Sequence, residues 1–455
     1  MSALESADRD ADASIHLRAE LLPNIRQLTL YVSLPACSGS DKDGNGLHPQ
    51  ISLSESRRAV TVSLTGPDHE MAETIKLPVR VSEASRSSLK FTGHRVPSES
   101  TEDRNGGERG RKEYSFRMQV DKNEQPHMAK EEFADGFIPW TARDMTPSTG
   151  VRCRACGLVI LDPSGPPRSD VTDGSSPSRG WVWKDLPSGN WAEMMDFWHC
   201  HKPHNPDHDH GNEKGLDQNS VVKGYGAANQ VVATPGTVLV DVPSFLVMEA
   251  DCKGLKKSQP KGPTESSSTV RGVSLECEEC GTLVGTEDLT ARGWRLFKAN
   301  LSVRHGNAPL PEEGNEESAW ETQETETIVG AQLLEMIERE GVRRFVLHCG
   351  EKDGLLLWVF NPDLRYSSSS ADHCITAQRA MKVFMQQVSN IDSLLDPAQG
   401  KGQSISLEEL YLPPNIFADV ALALRRSNEI LPASARRFRE WEVGFLSRFE
   451  GLRTK

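Results

Sequence analysis

Two short phrases carry the first chemistry in the chain. Residues 153–157 read Cys-Arg-Ala-Cys-Gly and residues 277–281 read Cys-Glu-Glu-Cys-Gly. Two thiolates separated by two residues both reach a tetrahedral zinc ion when the backbone curls into a knuckle between them, and a following glycine relieves the turn by permitting positive φ. Cys153, Cys156, Cys277 and Cys280 are therefore expected to form one closed, structural zinc site, with Gly157 and Gly281 completing the turns. Short zinc ribbons set their knuckles about 15–20 residues apart. Here the second begins at 277 and the first at 153, so the metal would clip two remote segments together. A four-sulfur site has no open position for water, which argues against metal-assisted hydrolysis.

A second cluster lies in NWAEMMDFWHCHKPHNPDHDH (190–210), where Cys200 and His201 are alternative ligands or part of a second metal site. Its trailing histidines, His204, His208 and His210, sit among Asp, Asn and Pro, the composition of a loop with incidental histidines. Trp191 and Trp198, seven apart, read as the packing face of a helix.

The elements that must hold these sulfurs change in type along the chain. Residues 1–140 read as an antiparallel β domain, a sandwich or barrel, with strands at 25–34, 58–66, 73–81 and 113–120; in the last, Tyr114, Phe116, Met118 and Val120 share one face. Residues 141–310 read as a zinc-clipped β-rich region with long polar loops, its strand-like stretches at 236–248 and 292–303. The acidic tract 311–327 is a linker by composition. Residues 328–455 change period to an α+β pattern: a helix at 328–341, then a hairpin of 343–349 and 355–361 across Gly-Glu-Lys-Asp-Gly. Ala377, Ala380, Met381, Phe384, Val388 and Ile391 then recur at spacings of three and four, predicting a helix, and further helices are expected at 414–427 and 433–449. The fold class is α+β: β-rich N-terminal and central regions with a helical C-terminal region.

Composition excludes several roles. There is no run of eighteen apolar residues and no basic-then-apolar start, so neither a membrane span nor a signal peptide is expected; the cytoplasm and the nucleus are both compatible. Nine cysteines in such a chain are expected to stay reduced, which favours metal or thiol chemistry over disulfides. A net charge of -13 argues against broad adhesion to nucleic acid or anionic membrane. The arginines gathered beyond residue 425 read as a solvated helix surface.

Ile-Pro-Trp (138–140), both knuckles, DFWHCHKPH, GTVLVDVPSFLV and the block LYLPPNIFADVALALRRSNEILPASARRFREWEVGFLSR together resemble the HECT-like family of proteins that bind ubiquitin-conjugating enzymes. The resemblance spans about residues 20–450. It implies recognition of a charged ubiquitin-conjugating enzyme (E2), acceptance of ubiquitin, and its delivery to protein substrates bound for the proteasome, cyclins among them. A ligase of the HECT type needs an exposed, partly ionised cysteine to carry the thioester. Cys374 fits, following Tyr-Ser-Ser-Ser-Ser-Ala-Asp-His, opening an expected helix whose dipole favours the anion, and adjoining His373. Cys349, preceded by His348 at a strand end, is its rival. No full bilobal domain and no cysteine-bearing C-terminal signature of true HECT ligases is present. The alternative to a ligase is a non-catalytic zinc-stabilised scaffold that binds a conjugating enzyme or stabilises another partner.

Overall fold

The computed structural model describes residues 14–35, 49–65, 70–90, 94–95, 112–124, 137–166, 179–186, 231–258, 273–306, 319–369, 377–395 and 407–450. The chain divides into two compact units, one formed by Met1–Ala134 with Val342–Glu450 and the other by Asp135–Gly341. Composition sets out 1–140, 141–310 and 328–455 as successive regions; in the structure the first and last share one sheet. The acidic tract 311–327, expected as a linker, falls within the second unit: Glu321 bridges to Val303 and the helix Thr325–Glu340 begins inside it, because composition marks polar stretches but not which remote segments pair.

In the first unit a ten-stranded sheet runs, among the described residues, in the order Arg437–Phe438, Trp441–Ser447, Gln378–Val388, Gly354–Ser368, His16–Leu22, Gln27–Leu34, Lys112–Gln119 and His94–Arg95. Arg344–His348 branches off against Gly354–Ser368 and pairs in parallel with Glu408–Tyr411. The joint between the two ends of the chain is the pairing of His16–Leu22 with Gly354–Ser368, Ala19 opposite Ser367. One face of the N-terminal strands carries Leu17, Ala19, Leu21, Leu28, Leu30 and Val32, which share a core with Val60, Val62, Leu64 and Ile75 of the three-stranded sheet Gln50–Leu53, Ala59–Thr65, Glu70–Lys76. Alternation in these strands thus seals a sandwich.

On the opposite face, the joint buries charge. Arg18 Nε donates to Glu20 Oε1 at 2.9 Å and Lys382 Nζ to Glu20 Oε2 at 2.7 Å, while the Arg18 guanidinium lies 4.4 and 4.3 Å from the Tyr366 and Phe445 ring centres. The helix Pro414–Glu429 (α2) lays Ile416, Val420 and Leu424 inward, so the helix expected at 414–427 is present. Gly444, on the strand Trp441–Ser447, lets it approach: a Cβ there would sit 3.0 Å from Leu424 Cδ2.

Two expected helices are strands. The segment 377–391 forms Gln378–Val388, because Ala380, Met381, Val383, Phe384 and Met385 are buried on both faces of a central strand and so contain an accidental helical spacing. The segment 433–449 forms a short 3-10 turn, Ala433–Ala435, and a hairpin of Arg437–Phe438 with Trp441–Ser447. Its turn depends on Arg439 at φ +56, a conformation that nothing in the sequence announces. The hairpin expected over 343–361 is present as Arg344–His348 with Gly354–Ser368.

The second unit holds a seven-stranded sheet, in the order Val182–Asp185, Thr237–Val240, Ser244–Val247, Gly293–Phe297, Leu283–Asp288, Ser274–Cys277 and Leu255–Ser258, and a three-stranded sheet of Leu301–Arg304, Gly150–Cys153 and Val159–Leu161. The stretches 236–248 and 292–303 are each two strands broken by a turn. Val151, Ile160, Leu161, Phe245, Leu275, Val284 and Leu296 from both sheets meet in a single core with Trp140. The helix expected at 328–341 is Thr325–Glu340 (α1), stopped by Gly341 at φ +68. Among the described residues no helix is long and apolar enough to cross a membrane.

Candidate functional site

Each cysteine phrase closes a turn between two strands in the same way. Cys153 N–H donates to Leu158 O and Gly157 N–H to Cys153 O, at 2.8 and 3.0 Å; Cys277 N–H donates to Thr282 O and Gly281 N–H to Cys277 O, both at 2.9 Å. Gly157 and Gly281 adopt φ +80 and +70, the left-handed conformation that a side chain would strain. The first cysteine of each pair is buried in the core and the second is exposed.

The remote halves are brought together by backbone. Leu255–Ser258 pairs with the second knuckle, Leu255 opposite Cys277, while Lys253 N–H donates to Ile160 O beside the first and Glu278 N–H to Gly254 O. Gly254, at φ +65, is the contact point: a Cβ there would fall 2.5 Å from Leu158 Cδ2. Arg154 ties the first knuckle down, its N–H donating to Asn300 O and its guanidinium to Ala299 O and Gln323 O.

The four sulfurs converge within 4.8 Å of one another. Cys153 Sγ lies 3.7 Å from Cys280 Sγ, and Cys156 Sγ 3.5 Å from Cys277 Sγ. A tetrahedral zinc with Zn–S bonds of about 2.3 Å spaces its sulfurs by about 3.8 Å. The donor set is thus the right size and of the right softness for zinc, and each of these two close sulfur pairs takes one member from each phrase.

The electrostatics also suit a cation. Desolvation among the crowded sulfurs and the neighbouring Cys277, Cys280 and Cys153 thiols push the Cys156 thiol up to about 12, burial lifts the Cys153 thiol above its ordinary range, and the Thr282 hydroxyl, 3.1 Å from Cys280 Sγ, holds that thiol down to about 6. Backbone N–H groups of Ala155 and Cys156 reach Cys153 sulfur, Leu158 reaches Cys156 and Thr282 reaches Cys280. Cys280 is thus the sulfur held lowest, and a divalent ion would supply the charge that Cys153 and Cys156 need to ionise. The sequence motif leaves out Thr282, although its position two residues after Cys280 is a local signal.

A buried cation braces the same core. Lys298 is fully buried, and its ammonium donates to Pro139 O and Trp140 O at 2.9 and 3.2 Å, 5.2 Å from the Phe245 ring centre. Desolvation lowers its pKa to about 7. This amine clamps Ile-Pro-Trp to the sheet and is sealed from solvent; no pattern in the sequence marks it.

The candidate nucleophiles are placed differently. Cys374, with His373, lies outside the described residues, as do Cys200, His201 and the Trp191–Trp198 pair. Cys349 is half-buried at the end of Arg344–His348. Its neighbour His348 accepts from Gly350 N–H at Nδ1, 3.1 Å, so Nε2 carries the proton and donates to Glu409 Oε1 at 2.7 Å. Both ring nitrogens are thus engaged away from the thiol.

The chain has relatives among known proteins. An uncharacterised protein of Saccharomyces cerevisiae is 22% identical over 393 residues, 85% of this chain and 90% of the relative. An uncharacterised protein of Schizosaccharomyces pombe is 22% identical over 321 residues, 69% of this chain and 78% of the relative. A Mus musculus protein that is named an E3 ubiquitin-protein ligase is 25% identical over 282 residues, 57% of this chain and 64% of the relative. No solved structure matches. Both knuckles, α1, α2 and all the described strands except the ends of His16–Leu22 and Trp441–Ser447 fall within a match over residues 20–443, by which the chain belongs to the family of HECT-like ubiquitin-conjugating enzyme (E2)-binding proteins.

Proposed function

We propose that the chain docks a charged ubiquitin-conjugating enzyme and promotes transfer of ubiquitin to protein substrates, in the cytoplasm or nucleus, marking them for degradation. A single zinc ion on Cys153, Cys156, Cys277 and Cys280 is the structural element of this reading; it fastens the central unit and takes no part in transfer. The observation that carries the partner is the family match across residues 20–443; the ligase name of the mouse relative supports the transfer step. Cys374 is the nucleophile of the covalent form of this reading and Cys349 its rival. Cyclin-type proteins stand among the substrates to be tried.

A second reading, docking without a covalent step, is favoured by one observation: His348 is committed to Glu409 and Gly350, leaving no ring nitrogen to deprotonate Cys349. Incubation of the full chain with ubiquitin-charged conjugating enzyme, followed by a non-reducing gel, separates the two. A thiol-labile ubiquitin adduct that disappears in Cys374→Ala establishes the thioester route. Ubiquitination that persists when Cys37, Cys200, Cys252, Cys349 and Cys374 are all replaced establishes the scaffold. If no charged conjugating enzyme binds the chain at all, both forms fail.

A further inference from the structure

Strands of the first unit carry an aromatic cluster that neither the cysteine site nor the proposed transfer chemistry uses. Trp358, Phe384 and Val443 stand directly opposite one another on three adjacent strands and so share a face; Trp441, two residues before Val443, shares it too. Trp358 meets the ring edges of Phe384 and Trp441 at 5.2 and 6.2 Å. Phe384 is stacked between two further rings, Phe360 at 5.0 Å and 28°, and Phe438 at 5.1 Å and 13°. The middle ring is 4% exposed, whereas the two outer rings are each 45% exposed.

Irregular backbone adjoins both outer rings. Phe360 lies in a register break between Val359 and Asn361, the kind of bulge that re-aims a side chain. Phe438 precedes Arg439, which takes φ +56 in the hairpin turn, a left-handed conformation that strains a non-glycine residue. The cluster also carries cations on its ring faces: the Arg439 guanidinium lies 5.5 Å from the Phe438 ring centre and that of Arg344 lies 5.4 Å from Trp358. Neither makes an ion pair with a described carboxylate. A guanidinium laid on a ring still turns its N–H fork outward, the geometry that takes a carboxylate in bidentate fashion.

We infer that this face docks an acidic peptide segment of a protein partner, one that lays an aliphatic or aromatic side chain against Phe360 and Phe438 and offers carboxylates to Arg344 and Arg439. Aromatic and arginine side chains in such a setting are the residue types that dominate protein interfaces. Nucleic acid also stacks on exposed rings, but phosphate binding needs a groove of many cations, and this face has two arginines beside Glu440. The inference stands whether or not a ubiquitin thioester forms, since it involves neither Cys374 nor Cys349.

The test is selection of a phage-displayed random-peptide library on the immobilised full chain, then anisotropy titration of the enriched peptides. Sequences rich in Asp or Glu around an apolar anchor are expected, with affinity at least about tenfold weaker for Phe438→Ala and for Arg439→Glu. Arg439→Gly relieves the left-handed strain while removing the guanidinium; a weakened affinity in that variant, with an unchanged melting temperature, separates lost contact from a lost fold. Four results overturn the inference: no enrichment over the Phe360→Ala/Phe438→Ala double variant; enriched peptides without carboxylates; a single-stranded oligonucleotide that binds with the same dependence on these residues; or self-association of the chain that Phe438→Ala abolishes, which would give the face to a second copy.

Discussion

At the scale of residues, the two decisive groups are four sulfurs and one buried carboxylate. The full chain is expected to hold about one zinc per molecule by elemental analysis. Replacing a buried ligand, Cys153→Ser or Cys277→Ser, should remove the metal and cost the second unit several kcal/mol, because binding energy at a structural zinc site is folding energy. Chelation of the wild type should lower its melting temperature in the same direction. Full metal content in Cys277→Ser would exclude the four-sulfur site. Glu20 behaves differently. Burial by itself would raise its carboxyl, but Lys382 and Arg18 outweigh it and hold the pKa near 2, against an ordinary 4.5. A depressed acid stabilises the folded state above its unfolded pKa and loses that contribution as pH falls towards the folded value, so the window runs from about 4.5 down to 2. Glu20→Gln should cost about 3–5 kcal/mol at neutral pH, by leaving Lys382 and Arg18 uncompensated, and should flatten the acid limb of urea stability in that window. A wild-type acid limb reproduced in the variant would sink the assignment.

At the scale of elements, the same sequence reads well where a structure is local and poorly where it is not. The knuckles are legible because ligands, turn glycines and closing hydrogen bonds lie within six residues, 153–158 and 277–282. α1 and α2 are legible from their apolar periodicity, with Gly341 as a plain stop signal for α1 and Pro414 as a start signal for α2. The strand Gln378–Val388 is not, because burial on both faces erases the period of two, and Ala380, Met381 and Phe384 then satisfy a helical spacing by accident. Nor is the hairpin Arg437–Ser447, where a non-glycine residue at positive φ makes the turn. Within the site, Lys298 and Gly254 are invisible because each acts on a partner remote in sequence, Trp140 and Leu158 respectively. Gly254 supports a prediction of its own. Gly254→Ala combines a positive φ with a methyl placed 2.5 Å from Leu158 Cδ2, so it should destabilise the second unit by about 1–3 kcal/mol and weaken zinc retention. Adding Leu158→Ala removes the clash but not the backbone strain; only part of the loss should return in thermal melts. Complete recovery would mean that φ carries none of it, and no initial loss would mean that the knuckles do not depend on this approach.

At the scale of the whole chain, order in sequence and order in space part company, and buried charge shows where the ends of the first unit depend on each other. The N-terminal segment has an apolar core between its two sheets, and the C-terminal segment has another around Leu364, Phe384, Leu431 and Phe445. What joins them is the pairing of His16–Leu22 with Gly354–Ser368, the stacking of Arg18 on Tyr366 and Phe445, the bond from Lys382 to Glu20, and the Glu113 carboxylate accepting from Ala433 and Ser434 N–H. Separating the segments would leave Glu20 without Lys382 and expose an unpaired strand edge on each, and such edges aggregate. Among the described residues of 135–341, the core, knuckles and closing strands come from within that span. A fragment of residues 342–450 made alone is therefore expected to be insoluble or to lack a cooperative melt, and to become soluble when residues 1–134 are co-expressed. A fragment of residues 135–341 should fold alone in the presence of zinc. A cooperatively melting 342–450 fragment would show that the C-terminal segment is a domain in its own right, and that the shared sheet is a late contact instead of a condition of folding.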